Sequence, residues 1–144
     1  MAGSPTSPLG AHFDDVPSSA YFSVATRWAR AKGVTAGCTS TSFCPANNVT
    51  RSQFVVMLHR FAGSPNHGTS HGFSDVATSG EVAQAVTWGK KYEIVMGTTS
   101  TTFSLGNAVT RAQVARFLYR YANKPAAEGA NRIQLGVTRP AQTF

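Results

Sequence analysis

Apolar residues recur at helical spacing in four segments of the chain, and polar loops separate these segments. The spacing is that of amphipathic helices, in which residues three and four positions apart share one face. The four faces are Phe22, Ala25, Trp28 and Ala29; Phe54, Val55, Leu58 and Phe61; Val82, Ala85, Trp88 and Gly89; and Val114, Phe117, Leu118 and Tyr121. The pattern predicts a mainly α fold made of two helix–loop–helix units.

The two units are repeats of one another at a constant offset of 60 residues. Residues 13–65 align with residues 73–125 without a gap, and 20 of these 53 positions are identical. A duplicated unit of this size usually buries its apolar faces against a copy of itself. We therefore expect the two repeats to share a core.

Segments rich in serine, proline and glycine mark the boundaries of the units. They predict a flexible arm over residues 1–11, a first repeat over 12–63 and a linker over 64–71. A second repeat then covers 72–123, and a C-terminal tail covers 124–144.

Each repeat also carries signals for the starts of its helices. Thr50 and Gln53, and likewise Thr110 and Gln113, have the spacing of a capping box, in which the two side chains cap each other's backbone N–H groups. Ser19 and Ser79 are the expected N-caps of the first helix in each repeat.

The charge balance points to an anionic partner. The chain has 13 basic and 6 acidic residues, for a formal net charge of +7. Nucleic acid, acidic lipid and acidic polysaccharide are the candidate classes. Nucleic acid is disfavoured, because the basic residues are dispersed and match no nucleic-acid-binding motif.

No segment approaches the run of about 20 apolar residues that would span a membrane. The first eight residues also lack the charged and apolar regions of a secretory signal. A fragment, a cytoplasmic protein, and a component exported without its own signal, such as a virion protein, remain as alternatives.

The two cysteines both lie in the first repeat. Cys38 and Cys44 correspond to Thr98 and Ser104 in the second repeat, so both thiols are present in one copy and absent from the other. This is the pattern of a bonded pair gained or lost together. We predict a Cys38–Cys44 disulfide and, with it, an extracellular setting.

The sequence offers little for catalysis. The six acidic residues are scattered, and there is no nucleophile elbow, phosphate-binding glycine loop or zinc-type spacing. His67 and His71 are four residues apart, but a linker rich in glycine is a poor helix and so a poor metal site. We predict a protein that is not an enzyme and needs no cofactor or metal.

Taken in order, the repeated motifs resemble the S-layer homology (SLH) family. The first repeat has Phe13-Asp-Asp-Val16, Trp28, Gly37, Phe43 and Val49-Thr-Arg-Ser-Gln53. The second has Phe73-Ser-Asp-Val76, Trp88, Gly97, Phe103 and Val109-Thr-Arg-Ala-Gln113. Family members usually have Glu where this chain has Gln53 and Gln113. They also usually have three repeats in a pseudo-threefold prism, so the resemblance implies an incomplete prism here.

The resemblance implies a non-catalytic module at the cell surface that binds an acidic, often pyruvylated, cell-wall polysaccharide. Arg51 and Arg111 would face the acid group, Gly37 and Gly97 would let the backbone approach the sugar, and Trp28 and Trp88 would line or support the groove. An arginine at a helix N-terminus suits this task, because its planar donors add to the positive end of the helix dipole.

Two alternatives stay open. The arginines could instead form internal salt bridges with Asp15 or Asp75. The chain could also be an assembly subunit of a virion or surface array, with a homo-oligomer or another partner completing the prism.

Overall fold

The computed structural model describes residues 9–123. Four helices follow one another in this part of the chain: α1 (Ser23–Ala31), α2 (Arg51–Phe61), α3 (Gly80–Lys91) and α4 (Arg111–Asn123). Residues 9–123 contain no β-strand, only an isolated antiparallel bridge between Thr50 and Ala108. The mainly α prediction is confirmed. Most of the predicted arm and the whole predicted tail lie outside the described residues.

The core lies between the repeats, where α2 packs against α3. Both repeats contribute to one buried apolar cluster, which consists of Val55, Val56, Leu58, Ala62, Phe73, Val76, Ala85, Val86, Trp88, Ile94, Val95, Phe103 and Phe117. Trp88 is its largest fully buried side chain. The burial of so much apolar area against a neighbouring unit explains why the two repeats fold together.

The loop of each repeat is fixed by the aspartate of its Phe-x-Asp-Val motif. The Asp15 carboxylate accepts hydrogen bonds from the backbone N–H groups of Phe43 and Cys44, both at 2.7 Å. Asp75 does the same for Phe103 at 2.8 Å and Ser104 at 2.6 Å. Each carboxylate therefore ties the start of its repeat to the end of its loop.

The cysteine prediction is confirmed, because Cys38 and Cys44 form a disulfide. In the second repeat, the equivalent hydroxyls of Thr98 and Ser104 form a hydrogen bond of 2.6 Å. The same two loop positions are thus joined in both repeats, covalently in one and by a hydrogen bond in the other.

One of the two serines expected as N-caps lies in the N-cap position. Helix α1 begins at Ser23 with Phe22 in the N-cap position, so the prediction for Ser19 is wrong. Residues 17–22 form turns instead, in which Ala20 donates to the Pro17 carbonyl at 2.9 Å and Ser23 donates to the Ala20 carbonyl at 2.9 Å. Ser79 does occupy the N-cap position of α3, but its side chain makes no capping hydrogen bond.

Candidate functional site at the repeat junction

Helix α2 starts against the loop of the second repeat. The backbone N–H groups of Arg51 and Ser52 donate to the carbonyls of Asn107 at 2.9 Å and Leu105 at 3.2 Å. A helix leaves its first N–H groups without partners inside the helix, and here another repeat supplies the acceptors. The predicted capping box is also present: Thr50 accepts from the Gln53 N–H, and the Gln53 side chain accepts from the Thr50 N–H.

The side chain of Arg51 is buried in the same contact, with 3% of its surface exposed. Its Nε donates to the Phe103 carbonyl at 2.9 Å, and Nη2 donates to the Met96 carbonyl at 2.7 Å. The guanidinium carbon lies 4.7 Å from the centre of the Phe103 ring and 5.7 Å from that of Phe117. Arg51 therefore joins α2 to the loop and to the last helix of the other repeat.

This guanidinium keeps its charge without a carboxylate in contact. Burial lowers the pKa of Arg51, and the charge of Asp75 opposes that effect. An arginine nevertheless stays protonated in proteins. Within residues 9–123, the one salt bridge is between Arg60 and Glu81, so the hydrogen-bond acceptors of Arg51 are neutral carbonyls.

A second arginine, Arg120, contacts the side chain of Met96. Nη2 of Arg120 is 3.5 Å from the Met96 sulfur, and Nη1 is buried without a hydrogen-bond partner among the described residues. Met96 itself is 51% exposed, which places this arrangement at the surface. We call Arg51, Met96, Phe103, Phe117 and Arg120 the seam cluster.

The equivalent arginine of the second repeat has a different environment. Arg111 is exposed, and its guanidinium makes no hydrogen bond within the described part of the chain. The backbone N–H groups of Arg111 and Ala112 likewise find no acceptor in residues 9–123. The capping box of Thr110 and Gln113 is formed, with both hydrogen bonds at 3.1 Å.

The two tryptophans are packing residues in the structure. Trp88 is fully buried and contacts His59 and Tyr121, with ring centroids at 5.4 and 5.9 Å. Trp28 is half-buried and lies edge-on to Phe61 at 5.8 Å. Neither indole N–H has a hydrogen-bond partner in the part of the chain described.

The two loop glycines are required by close packing. A Cβ at Gly37 would lie 2.7 Å from the Phe13 ring, and a Cβ at Gly97 would lie 2.6 Å from the Phe73 ring. Each would also meet backbone carbonyls of its own loop. Gly37 in addition has a φ of 83°, which favours glycine.

Arg120 is the functional candidate that the sequence reasoning missed. Arg120 lies near a helix C-terminus, where the helix dipole stabilises a cation. This structural role is enough to explain an arginine at that position. The available signal was the repeat itself: Arg60 and Arg120 recur at the 60-residue offset, while Glu81, the partner of Arg60, corresponds to Tyr21.

Together, the fold and this junction define a two-repeat helical module with a basic surface cluster between its repeats. The chain matches the family model of the S-layer homology domain over residues 12–55 and 72–115. These matches cover more than half of the chain, and the chain belongs to this family. No curated protein and no solved structure matches it.

S-layer homology domains are non-catalytic cell-wall-binding modules that anchor proteins at the cell surface. None of the helices within residues 9–123 is long and apolar enough to cross a membrane.

Proposed function

We propose that this protein is a non-catalytic cell-surface module that binds an anionic, pyruvylated cell-wall polysaccharide at the seam cluster. The observation that carries the proposal is the pair of guanidiniums around Met96, which have no carboxylate in contact among the described residues. Buried or half-buried charges are normally paired. An acidic sugar would supply the missing negative charge.

Arg120 is the capture residue in this proposal. It is half-buried, and its Nη2 contacts only the Met96 sulfur at 3.5 Å among residues 9–123, so a carboxylate that binds Nη2 gains a charge-assisted hydrogen bond and displaces only a weak contact to sulfur. Arg51 contributes mainly through its charge, because two of its donors are already held by carbonyls. The local positive potential would also increase the rate of encounter with the polymer.

The other site residues take supporting roles. Arg111 offers a second, exposed guanidinium at the start of α4. Gly37 and Gly97 keep the two loops compact, so that the polymer can run over backbone next to Met96. Trp28 and Trp88 support the walls beneath the polymer rather than stack on its sugars, in keeping with their burial.

Calorimetry with purified wall polymer tests the proposal. Arg120→Ala should weaken binding about 10-fold or more, the typical value of one charge-assisted hydrogen bond. Arg111→Ala should have a smaller effect. Arg116→Ala is the matched control, since it removes an exposed arginine from the same helix and should change the affinity less than about twofold.

Two results would overturn the proposal. One is an equal affinity for Arg120→Ala and Arg116→Ala. The other is unchanged binding of polymer from which the pyruvyl groups have been removed.

An assembly subunit of a virion or surface array is the second candidate function. The observation in its favour is that α1 and α4 expose faces whose counterparts are buried between α2 and α3.

A further inference from the structure

Helix α2 of the first repeat packs against α3 of the second repeat. Their counterparts at the 60-residue offset, α4 and α1, make no such contact with each other in the described residues. Five residues of α2 are buried, namely Arg51, Val55, Val56, Leu58 and His59, and Ala62 at its C-cap is buried as well. Their counterparts on α4 are all exposed, and we call them the donor face: Arg111, Ala115, Arg116, Leu118, Tyr119 and Ala122. Leu118 and Tyr119 expose 43% and 68% of their surface.

The other half of the contact is also present in an unused copy. Ala85, Trp88 and Phe103 are fully buried in the second repeat, whereas Ala25 is exposed and Trp28 and Phe43 are half-buried in the first. We define an acceptor face on the first repeat. It consists of the α1 residues Ala25, Trp28 and Ala29 and the backbone carbonyls of Phe43, Pro45 and Asn47.

Hydrogen-bonding groups on the two faces are complementary. The carbonyls of Phe103, Leu105 and Asn107 accept from α2, but those of Phe43, Pro45 and Asn47 receive no donor from residues 9–123. On the donor face, the N–H groups of Arg111 and Ala112 and the Arg111 guanidinium have no acceptor within the same range. Each unused donor therefore has an unused acceptor at the position that the internal contact prescribes.

Some side chains that meet in the internal contact have counterparts of suitable size on the two faces. In the internal contact, a Cβ at Gly89 would be in ordinary van der Waals contact with a methyl group of Val55, at 3.5 Å. The corresponding pair on the two faces is Ala29 and Ala115. Ala29 has one methyl group more than Gly89, and Ala115 is smaller than Val55. Similarly, His59 packs on Trp88 in the internal contact, and the aromatic Tyr119 would take its place on Trp28.

We propose that copies of this chain associate head to tail, with the donor face of one copy docking on the acceptor face of the next in the manner of α2 on α3. The partner is a second copy because both faces belong to the same chain. Such an interface is heterologous: it leaves one donor face and one acceptor face free on every dimer, so it extends unless the assembly closes.

The association should be weaker than the internal contact. The Arg60–Glu81 ion pair has Arg120 and Tyr21 as its counterparts, so the second contact lacks a carboxylate. Tyr21 is 98% exposed and can offer its ring or its hydroxyl oxygen to the guanidinium, but no negative charge. Unlike the internal contact, this one must also overcome the loss of translational freedom on association.

Two single variants separate the faces. Leu118→Arg blocks the donor face and Ala25→Arg blocks the acceptor face; both positions are exposed, so both variants should fold. Ser70→Arg, at an exposed linker position on neither face, controls for the added charge. Mass is measured by sedimentation without polymer at chain concentrations from ~1 µM to ~1 mM, a range in which weak association is detected.

The wild type and Ser70→Arg should increase in mass with concentration. Each face variant alone should keep the 15.3 kDa mass of one chain. An equimolar mixture of the two variants should form a dimer that grows no further, because each variant supplies the face that the other lacks. A wild type that stays monomeric, or a mixture that stays monomeric while the wild type associates, would overturn the inference.

Discussion

Arg60 and Glu81 form a two-pronged ion pair that ties α2 of the first repeat to α3 of the second. Nε of Arg60 lies 2.6 Å from Oε1 of Glu81, and Nη2 lies 2.7 Å from Oε2. The pair lowers the pKa of Glu81 and raises that of Arg60. It is the electrostatic part of a contact whose apolar part is the shared core.

The Arg60–Glu81 pair should contribute only modestly to stability. Its side chains are 27% and 44% exposed, so solvent screens the attraction. We expect a coupling free energy of about 0.5 kcal/mol. A double-mutant cycle with Arg60→Ala and Glu81→Ala, followed by urea unfolding, measures it. A coupling near zero would show that the bidentate geometry adds nothing in solution.

The equivalent arginines Arg51 and Arg111 should differ greatly in their effect on stability. Arg51→Ala leaves the carbonyls of Phe103 and Met96 without their donors and removes a buried side chain, which should cost about 3 kcal/mol. Arg111→Ala removes an exposed side chain and should cost less than about 0.5 kcal/mol. Denaturant unfolding of the two variants compares them directly, and similar losses would contradict the structural assignment of Arg51.

Local sequence signals predicted the helices well. The capping boxes at Thr50 and Thr110 mark the starts of α2 and α4, because the two residues that form each box are close in sequence. The start of α1 was missed, since turns that begin at Pro17 delay the helix beyond Ser19. Such a competition between turn and helix is decided by tertiary packing.

The candidate site was harder to predict than the helices. Periodicity assigns Phe22 and Ala25 to the same kind of apolar face as Val82 and Ala85, but among residues 9–123 a helix packs along the second face only. For the same reason, the sequence gives Arg51 and Arg111 one role, whereas the structure gives them two environments. The repeat motif is nearly the same in both copies, so it does not show which copy of a helix packs against another helix. That depends on the tertiary arrangement of the two repeats.

Stability should fall in acid because several carboxylates have lowered pKa values. Hydrogen bonds from loop N–H groups, that of Phe43 first, lower the pKa of Asp15 from its ordinary 3.8. Burial acts to raise the pKa of Asp75, but the N–H groups of Phe103 and Ser104 outweigh it and the net shift is downward. Arg60 holds the pKa of Glu81 below its ordinary 4.5.

The sign follows from the direction of these shifts. A group with a lowered pKa in the folded state stabilises the fold above its unfolded pKa, and this contribution is lost as the pH falls through the folded value. The melting temperature should therefore decrease as the pH falls below about 4.5, and further below about 3.8. Asp75→Asn should flatten the lower part of this profile. A profile for Asp75→Asn that is parallel to that of the wild type would contradict the loop-fixing role of this carboxylate.

The disulfide of the first repeat should be replaceable by the pair found in the second. Cys38 and Cys44 are six residues apart, and closing so short a loop stabilises by about 2 kcal/mol in the chain-entropy treatment. In the double variant Cys38→Thr, Cys44→Ser, the hydroxyls can adopt the hydrogen bond of Thr98 and Ser104. We expect this variant to lose less stability than Cys38→Ala, Cys44→Ala, by about 1 kcal/mol. Denaturant unfolding of both variants, with the reduced wild type as the control, measures the difference. Equal stability of the two variants would mean that the hydrogen bond does not form in the first loop.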